Sequence, residues 1–142
     1  MDAKRIAIEF LKRYEGLSLR RYNDVGGVAT IGYGHTGPEL PQEITQVEAD
    51  EMLEEDVDKF FMKVLPLIKV TLNDNQLAAI LSFTYNVGVG AFASSTMLNK
   101  LSRGVDCTKE FARWNHVKGK VVTGLTNRRA AELELFLTPV AA

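Results

Sequence analysis

One cysteine, Cys107, stands alone among 142 residues, so the chain can form no internal disulfide and makes no visible demand on an oxidising compartment. Only two histidines, His35 and His116, accompany it, and a structural zinc site therefore lacks its usual ligands. Nothing in the composition calls for a cofactor. Long apolar runs are missing as well: none approaches the roughly 20 residues that cross a bilayer, which argues against stable membrane association. The opening Met1-Asp2-Ala3-Lys4-Arg5 leads straight into an amphipathic pattern with no apolar signal core, so export is expected to use a route outside this sequence. A large charge excess is also lacking. The net charge is −1, and a nucleic-acid binder would carry a stronger basic surplus. That charge is unevenly spread, with +2 over residues 1–37, −7 over 38–99 and +4 over 100–142. Two basic ends around an acidic middle suit an anionic polymer, although solvated surface accounts for them too.

What is present is a globular composition, 46% hydrophobic and 25% charged. The length suits one domain with a core that needs no staples, divided at most into two lobes. Ile6, Ala7, Phe10, Leu11 and Tyr14 recur at helical spacing behind Asp2, which can cap them, and Gly16 is a natural stop. Glu15 thus falls at the end of an anchored helix. Leu19–Asn23 and Val28–Tyr33 read as short strands joined by Asp24-Val25-Gly26-Gly27, a hairpin sequence, with Gly32, Gly34 and Gly37 forming a glycine-rich rim. The short stretch from Gly37 to Glu43 leaves no room for a full third strand. Thr45-Gln46-Val47-Glu48 is a capping box that predicts a long helix to about Leu65, stopped by Pro66. About 20 residues at 1.5 Å each make a rod of roughly 30 Å, long enough to link two lobes. Asn73 can cap a helix to about Tyr85, ended by a loop from Asn86 to Gly90; Ser94 or Ser95 can start another, ended near Gly104. Asp106 or Thr108 should begin a helix carrying Trp114, a turn at Lys118-Gly119-Lys120 follows, and Thr126 should cap a last helix to Leu137. The expected class is α+β: a β-containing lobe at about 15–45, a linking helix at about 46–65, and a helical lobe at about 66–142 joined by helix 3–14.

Glu15, Asp24 and Thr30 form the strongest chemical constellation. Breaking a glycosidic bond takes one carboxylic acid to protonate the leaving oxygen and one carboxylate to activate water or stabilise charge on the ring. A hairpin folded against the first helix would set Glu15 and Asp24 on facing walls of a cleft, with the Thr30 hydroxyl helping to hold water. Spacing alone also fits a surface acid at Glu15 and an ordinary turn residue at Asp24. The wider string decides between them. Tyr14-Glu15-Gly16, Tyr22-Asn23-Asp24 and Thr30-Ile31-Gly32-Tyr33-Gly34-His35-Thr36 resemble the phage-type lysozymes, the endolysins of T-even and lambdoid phages. Phe111-Ala112-Arg113-Trp114-Asn115 and Gly124-Leu125-Thr126-Asn127-Arg128-Arg129-Ala130-Ala131-Glu132 continue the likeness over nearly the whole chain.

The resemblance implies a lysozyme-like fold and a muramidase that cuts the β-1,4 bond between N-acetylmuramic acid and N-acetylglucosamine in peptidoglycan. It makes Glu15 the general acid and gives Asp24 and Thr30 the water or the transition state. It suggests Thr36, Phe83, Ser95 and Asn127 as cleft residues, with the loop from Asn86 to Gly90 as a movable edge. Phe83 also reads as core, Ser95 as a helix cap, Asn127 as a first-turn residue and Trp114 as core. By the same likeness His35 bridges to an acidic group, and Arg128 or Arg129 orients Glu15. The implied setting is a monomer made in the host cytoplasm, reaching the wall through a separate pore. Two other readings stay open: a lytic transglycosylase, which uses one acid and no water-placing aspartate, and a wall-binding module without activity. The chain is less basic than many of its resemblances, which implies weaker hold on an anionic wall.

Overall fold

In the computed structural model, which describes residues 2–140, six helices surround one another beside two small antiparallel sheets. Helix α1 (Asp2–Tyr14) presents Ala3, Ala7 and Leu11 to the interior, and Asp2 forms its first turn rather than standing outside it. Strands β1 (Ser18–Asn23), β2 (Ala29–Gly32) and β3 (His35–Thr36) make the first sheet, in that order. Thr30 lies in the middle strand, opposite Tyr22 on one side and Thr36 on the other. The third strand is only two residues long, and a lone bridge between Arg20 and Glu43 adds pairing on the opposite edge of the sheet, along β1.

Helix α2 (Gln46–Val64) opens on the expected capping box: Thr45 Oγ1 accepts from the Glu48 amide at 3.1 Å, and Glu48 Oε1 accepts from the Thr45 amide at 3.0 Å. Pro66 sits in a short 3-10 turn, Leu65–Leu67, that closes the helix. Two buried clusters divide the apolar side chains, and α2 serves both. Its N-terminal part gives Ala49, Leu53 and Val57 to a cluster with Leu11, Ile31, Tyr33 and Ile44 behind the sheet. Its C-terminal part gives Phe61 and Val64 to a larger cluster with Phe83, Phe92, Met97, Phe111 and Phe136.

Helix α3 (Asp74–Val87) is capped by Asn73, whose side chain accepts from the Gln76 amide at 2.8 Å. It runs through the middle of the helical part, with every residue from Ala78 to Thr84 buried. The expected loop from Asn86 to Gly90 is instead a one-residue break. Gly88 adopts φ +97°, and α4 (Val89–Ala93) resumes at once. Helix α5 (Thr96–Ser102) follows, then a 3-10 segment, Thr108–Arg113, with Trp114 just beyond it rather than on a regular helix. Lys118 and Gly119 both take positive φ, the geometry of a two-residue hairpin turn, and so join β4 (His116–Val117) to β5 (Lys120–Val121). Helix α6 (Thr123–Leu137) begins four residues earlier than the Thr126 cap predicts, its cap position being Val122. The hairpin delivers the chain already in place, with the Val122 amide donating to Asn115 O at 2.8 Å and the Thr126 amide to Val122 O at 3.0 Å. Among the described residues no helix is long and apolar enough to cross a membrane.

Candidate active site

Glu15 follows the last turn of α1, its amide donating to Leu11 O at 2.7 Å. Its side chain is 19% exposed and is gripped by Arg128 of α6, whose Nη1 donates to Glu15 Oε1 at 2.8 Å. The other oxygen, Oε2, lies against the turn between β2 and β3, where a Cβ on Gly34 would come within 3.7 Å of it. Gly34 has φ +78°, so glycine suits this turn for its backbone, while a Cβ there would make only an ordinary contact with the acid.

Arg128 belongs to a buried charge network. Its Nη2 donates to Ser82 O at 3.0 Å and its Nε to Glu132 Oε2 at 3.2 Å, while the Ser82 hydroxyl donates to the same Glu132 oxygen at 2.6 Å. Arg129 Nε forms an ion pair with Glu132 Oε1 at 2.9 Å, and Arg129 Nη2 donates to Glu132 Oε2 at 3.4 Å. Arg129 also donates to Asn86 Oδ1 at 2.8 Å and lies over the Phe83 ring, 5.0 Å from its centroid. Burial pushes the Glu132 carboxyl above its ordinary value, against the pull of both guanidiniums and the Ser82 hydroxyl. Sequence reasoning named the arginines but not Ser82, and it took Asn86 only as the start of a movable loop. The signal available for Ser82 was a lone hydroxyl inside the apolar run Leu77–Phe83.

Asp24 occupies the hairpin turn. Its Oδ1 accepts from the amides of Gly26 at 2.8 Å and Val28 at 2.9 Å, and Gly27 completes the turn at φ +79°. One carboxylate oxygen is thereby fixed, and Oδ2 takes no hydrogen bond among the described residues. Thr30 is 4% exposed, and its hydroxyl donates to Val28 O at 2.9 Å, so toward a ligand it can only accept.

Thr36 is exposed and helps line a hollow of about 200 Å³ together with Gly34, His35, Asp56, Phe60 and Tyr85. His35 Nδ1 meets Asp56 Oδ2 at 2.7 Å, tying the sheet to α2. The Tyr85 hydroxyl donates to Tyr33 O at 3.0 Å; burial, with the charges of Asp56 and Glu15, pushes its ionisation well above the ordinary tyrosine value. This phenol is a neutral donor.

Two expected cleft residues are engaged inside the fold. Phe83 is fully buried, edge-on to Phe92, Phe111 and Trp114, because α3 is enclosed on all sides. Ser95 is 7% exposed and caps α5, donating to Phe92 O at 2.7 Å and accepting from the Leu98 amide at 3.0 Å. Ser95→Ala is accordingly expected to lower stability by about 1 kcal/mol in urea unfolding and to leave KM unchanged; a raised KM with normal stability would return Ser95 to the cleft. Asn127 is exposed, in the second turn of α6 beside Arg128. Trp114 packs 5.4 Å from Phe83, and His116 is an exposed strand residue. Among the described residues no cluster of three His, Cys, Asp or Glu side chains could hold a metal ion.

Residues 12–132 match the family described as phage lysozyme. The chain is 44% identical to an endolysin of Bacillus phage PZA in a match covering 96% of this chain and 55% of that protein. It therefore spans about half the length of this relative. An endolysin of Acyrthosiphon pisum secondary endosymbiont phage 1 is 41% identical, over 89% of this chain and 91% of its own length. Among solved structures, the muramidase domain of SpmX from Asticaccaulis excentricus shares the fold with TM-score 0.87 and 32% identity, covering 95% of this chain and 97% of that one. Matched along most of its sequence and in the arrangement of its helices and sheet, the chain belongs to the phage lysozyme family.

Proposed function

We propose that this chain is an endolysin that hydrolyses the β-1,4 bond between N-acetylmuramic acid and N-acetylglucosamine in bacterial peptidoglycan. Glu15 is the general acid. As the bond between the sugar carbon and the bridging oxygen breaks, its proton passes to that oxygen, and a water oxygen takes the vacated position on the sugar carbon, giving up one proton to the solvent from which the Glu15 carboxylate is reprotonated. Asp24 and Thr30 place this water or stabilise positive charge on the ring. Thr36 and Asn127, both exposed, serve the flanking sugars.

The observation that carries this reading is the mounting of Glu15. A carboxyl set at a helix end, tethered through one oxygen to a buried arginine and lying with the other beside a glycine turn of the sheet, is oriented without being sealed from substrate. The Asp24 carboxylate is likewise held by two backbone amides with its second oxygen unengaged, which suits a group that must stay ionised and oriented. Thr30, able only to accept, would accept a hydrogen bond from the attacking water and turn the water's lone pair elsewhere.

The test is product analysis. Purified peptidoglycan digested with the protein should yield fragments ending in reducing N-acetylmuramic acid. Anhydro-muramic ends would instead establish a transglycosylase, and an undigested but sedimented protein–wall complex would establish a binding module.

A further inference from the structure

We propose that Glu132 is a positioning residue for Glu15: it holds Arg128 from the buried side and cancels the second positive charge of the Arg128–Arg129 pair. The inference rests on Glu15 being the general acid, and it assigns a task to a carboxylate that never meets solvent.

Three of the four charges in the network are sealed in the protein. The side chains of Arg128, Arg129 and Glu132 are 5%, 1% and 0% exposed, and only Glu15 reaches the surface. Well-packed apolar residues commonly serve stability as well as a buried ion network does, because desolvation of the charges offsets their attraction. Fold stability therefore gives little reason for this arrangement, whereas its one open end is the proposed acid.

The geometry is that of a held fork. From one turn further along α6, Glu132 Oε2 accepts from Arg128 Nε at 3.2 Å. The Ser82 hydroxyl fixes the same oxygen at 2.6 Å, and Ser82 O takes Arg128 Nη2 at 3.0 Å. With Nε and Nη2 occupied, Nη1 is directed to Glu15.

The charge balance is equally specific. Two arginines face two carboxylates. Without the charge of Glu132, Glu15 would meet two uncompensated cations, each of which stabilises its ionised form and opposes proton donation. The groups around Glu15 from the other packed elements do not replace it. Tyr85 on α3 is a neutral phenol, Asp56 on α2 is paired with His35 of β3, Asp24 is engaged in its own turn, and Ser82 and Asn86 carry no charge.

The experiment compares Glu132→Gln, Arg129→Gln and the double variant with the wild-type chain. Two quantities are read: the pH dependence of kcat on soluble peptidoglycan fragments, and the carbon-13 titration midpoint of the Glu15 carboxyl. Glu132→Gln should move both the alkaline limb of kcat and the Glu15 midpoint to lower pH by about one unit, with KM little changed. Arg129→Gln should move them the other way, and the double variant should return close to wild type. A merely structural role would lower the amount of folded enzyme without moving either midpoint. A folded Glu132→Gln protein with unmoved midpoints overturns the proposal, as does a downward shift in Arg129→Gln. Should Glu132→Gln not fold, Glu132→Asp keeps the charge at shorter reach and is expected to hold the midpoint while lowering kcat; a lower midpoint there sinks the charge argument. If Glu15→Gln kept full activity, the reading of Glu15 as the acid would fail, while the carboxyl titration would still judge the role of Glu132.

Discussion

Glu15→Gln is expected to slow clearing of permeabilised bacteria by about 10²- to 10⁴-fold while the far-ultraviolet spectrum and melting curve stay close to those of the wild type. Glutamine has nearly the same shape, and its carbonyl oxygen can keep the 2.8 Å bond from Arg128 Nη1, so the mounting survives. What disappears is the transferable proton. A glycosidic oxygen is a poor leaving group unless protonated as its bond breaks, and no second acid stands beside it: Asp24 is held on the hairpin by the Gly26 and Val28 amides. The wild-type rate should fall as the pH rises through the value at which Glu15 loses its proton, because only the protonated form donates. In the variant that alkaline limb should vanish from whatever activity is left. A variant that clears cells at the wild-type rate would end the proposed mechanism.

Arg128→Met is expected to cost about 3–5 kcal/mol of folding stability, because it removes one partner from a buried charge network and leaves the other charges in place. Methionine fills much of the space of the arginine stem, so the loss is electrostatic rather than a cavity. Glu132, with no exposed surface, would keep only Arg129 and the Ser82 hydroxyl, and Ser82 O would lose the additional hydrogen bond from Arg128. For a protein of this size the melting temperature should drop by roughly 6–20 °C. The pH dependence has a definite sign. Burial already raises the folded-state value for Glu132 above its unfolded one, and removing Arg128 raises it further. The folded variant then binds a proton more readily than the unfolded chain does. Its deficit relative to wild type should be largest at neutral and alkaline pH, and should shrink as the pH falls through that raised value toward the ordinary carboxylate range. Equal stability of variant and wild type at neutral pH would show that the network is solvated and would remove the basis for treating Arg128 as a buried tether.

Local chemistry made much of the fold legible in the chain. The Thr45–Glu48 box, the Asn73 cap, the Asp24-to-Gly27 turn and the Lys118-Gly119 turn each depend on residues a few positions apart, where side-chain hydrogen bonds and positive φ act without distant help. The placement of Glu15 at the end of α1 followed from the same local logic. Errors arose where burial decides. Phe83 was a candidate for the cleft because periodicity cannot tell an aromatic facing a groove from one facing a neighbouring helix. On α3, buried from Ala78 to Thr84, no exposed face exists to be chosen. Likewise, the start of α6 was misplaced because Asn115 and the β4–β5 hairpin, not a side-chain cap, receive the chain at Val122.

The amino-acid string by itself determined where α2 and α3 begin, where the two hairpins turn, which acid ends the first helix, and which residues the first hairpin carries, since each of these is an interaction over a few residues. Only the tertiary structure decided that Arg128 rather than Arg129 grips Glu15 from 113 positions away, and that Ser82 and Glu132 hold that arginine in turn. The reason is physical. Which of two adjacent guanidiniums on a helix reaches an acid depends on the rotation and depth of that helix against its neighbours, and those are set by the packing of α6 on the buried face of α3, which no short stretch of sequence contains.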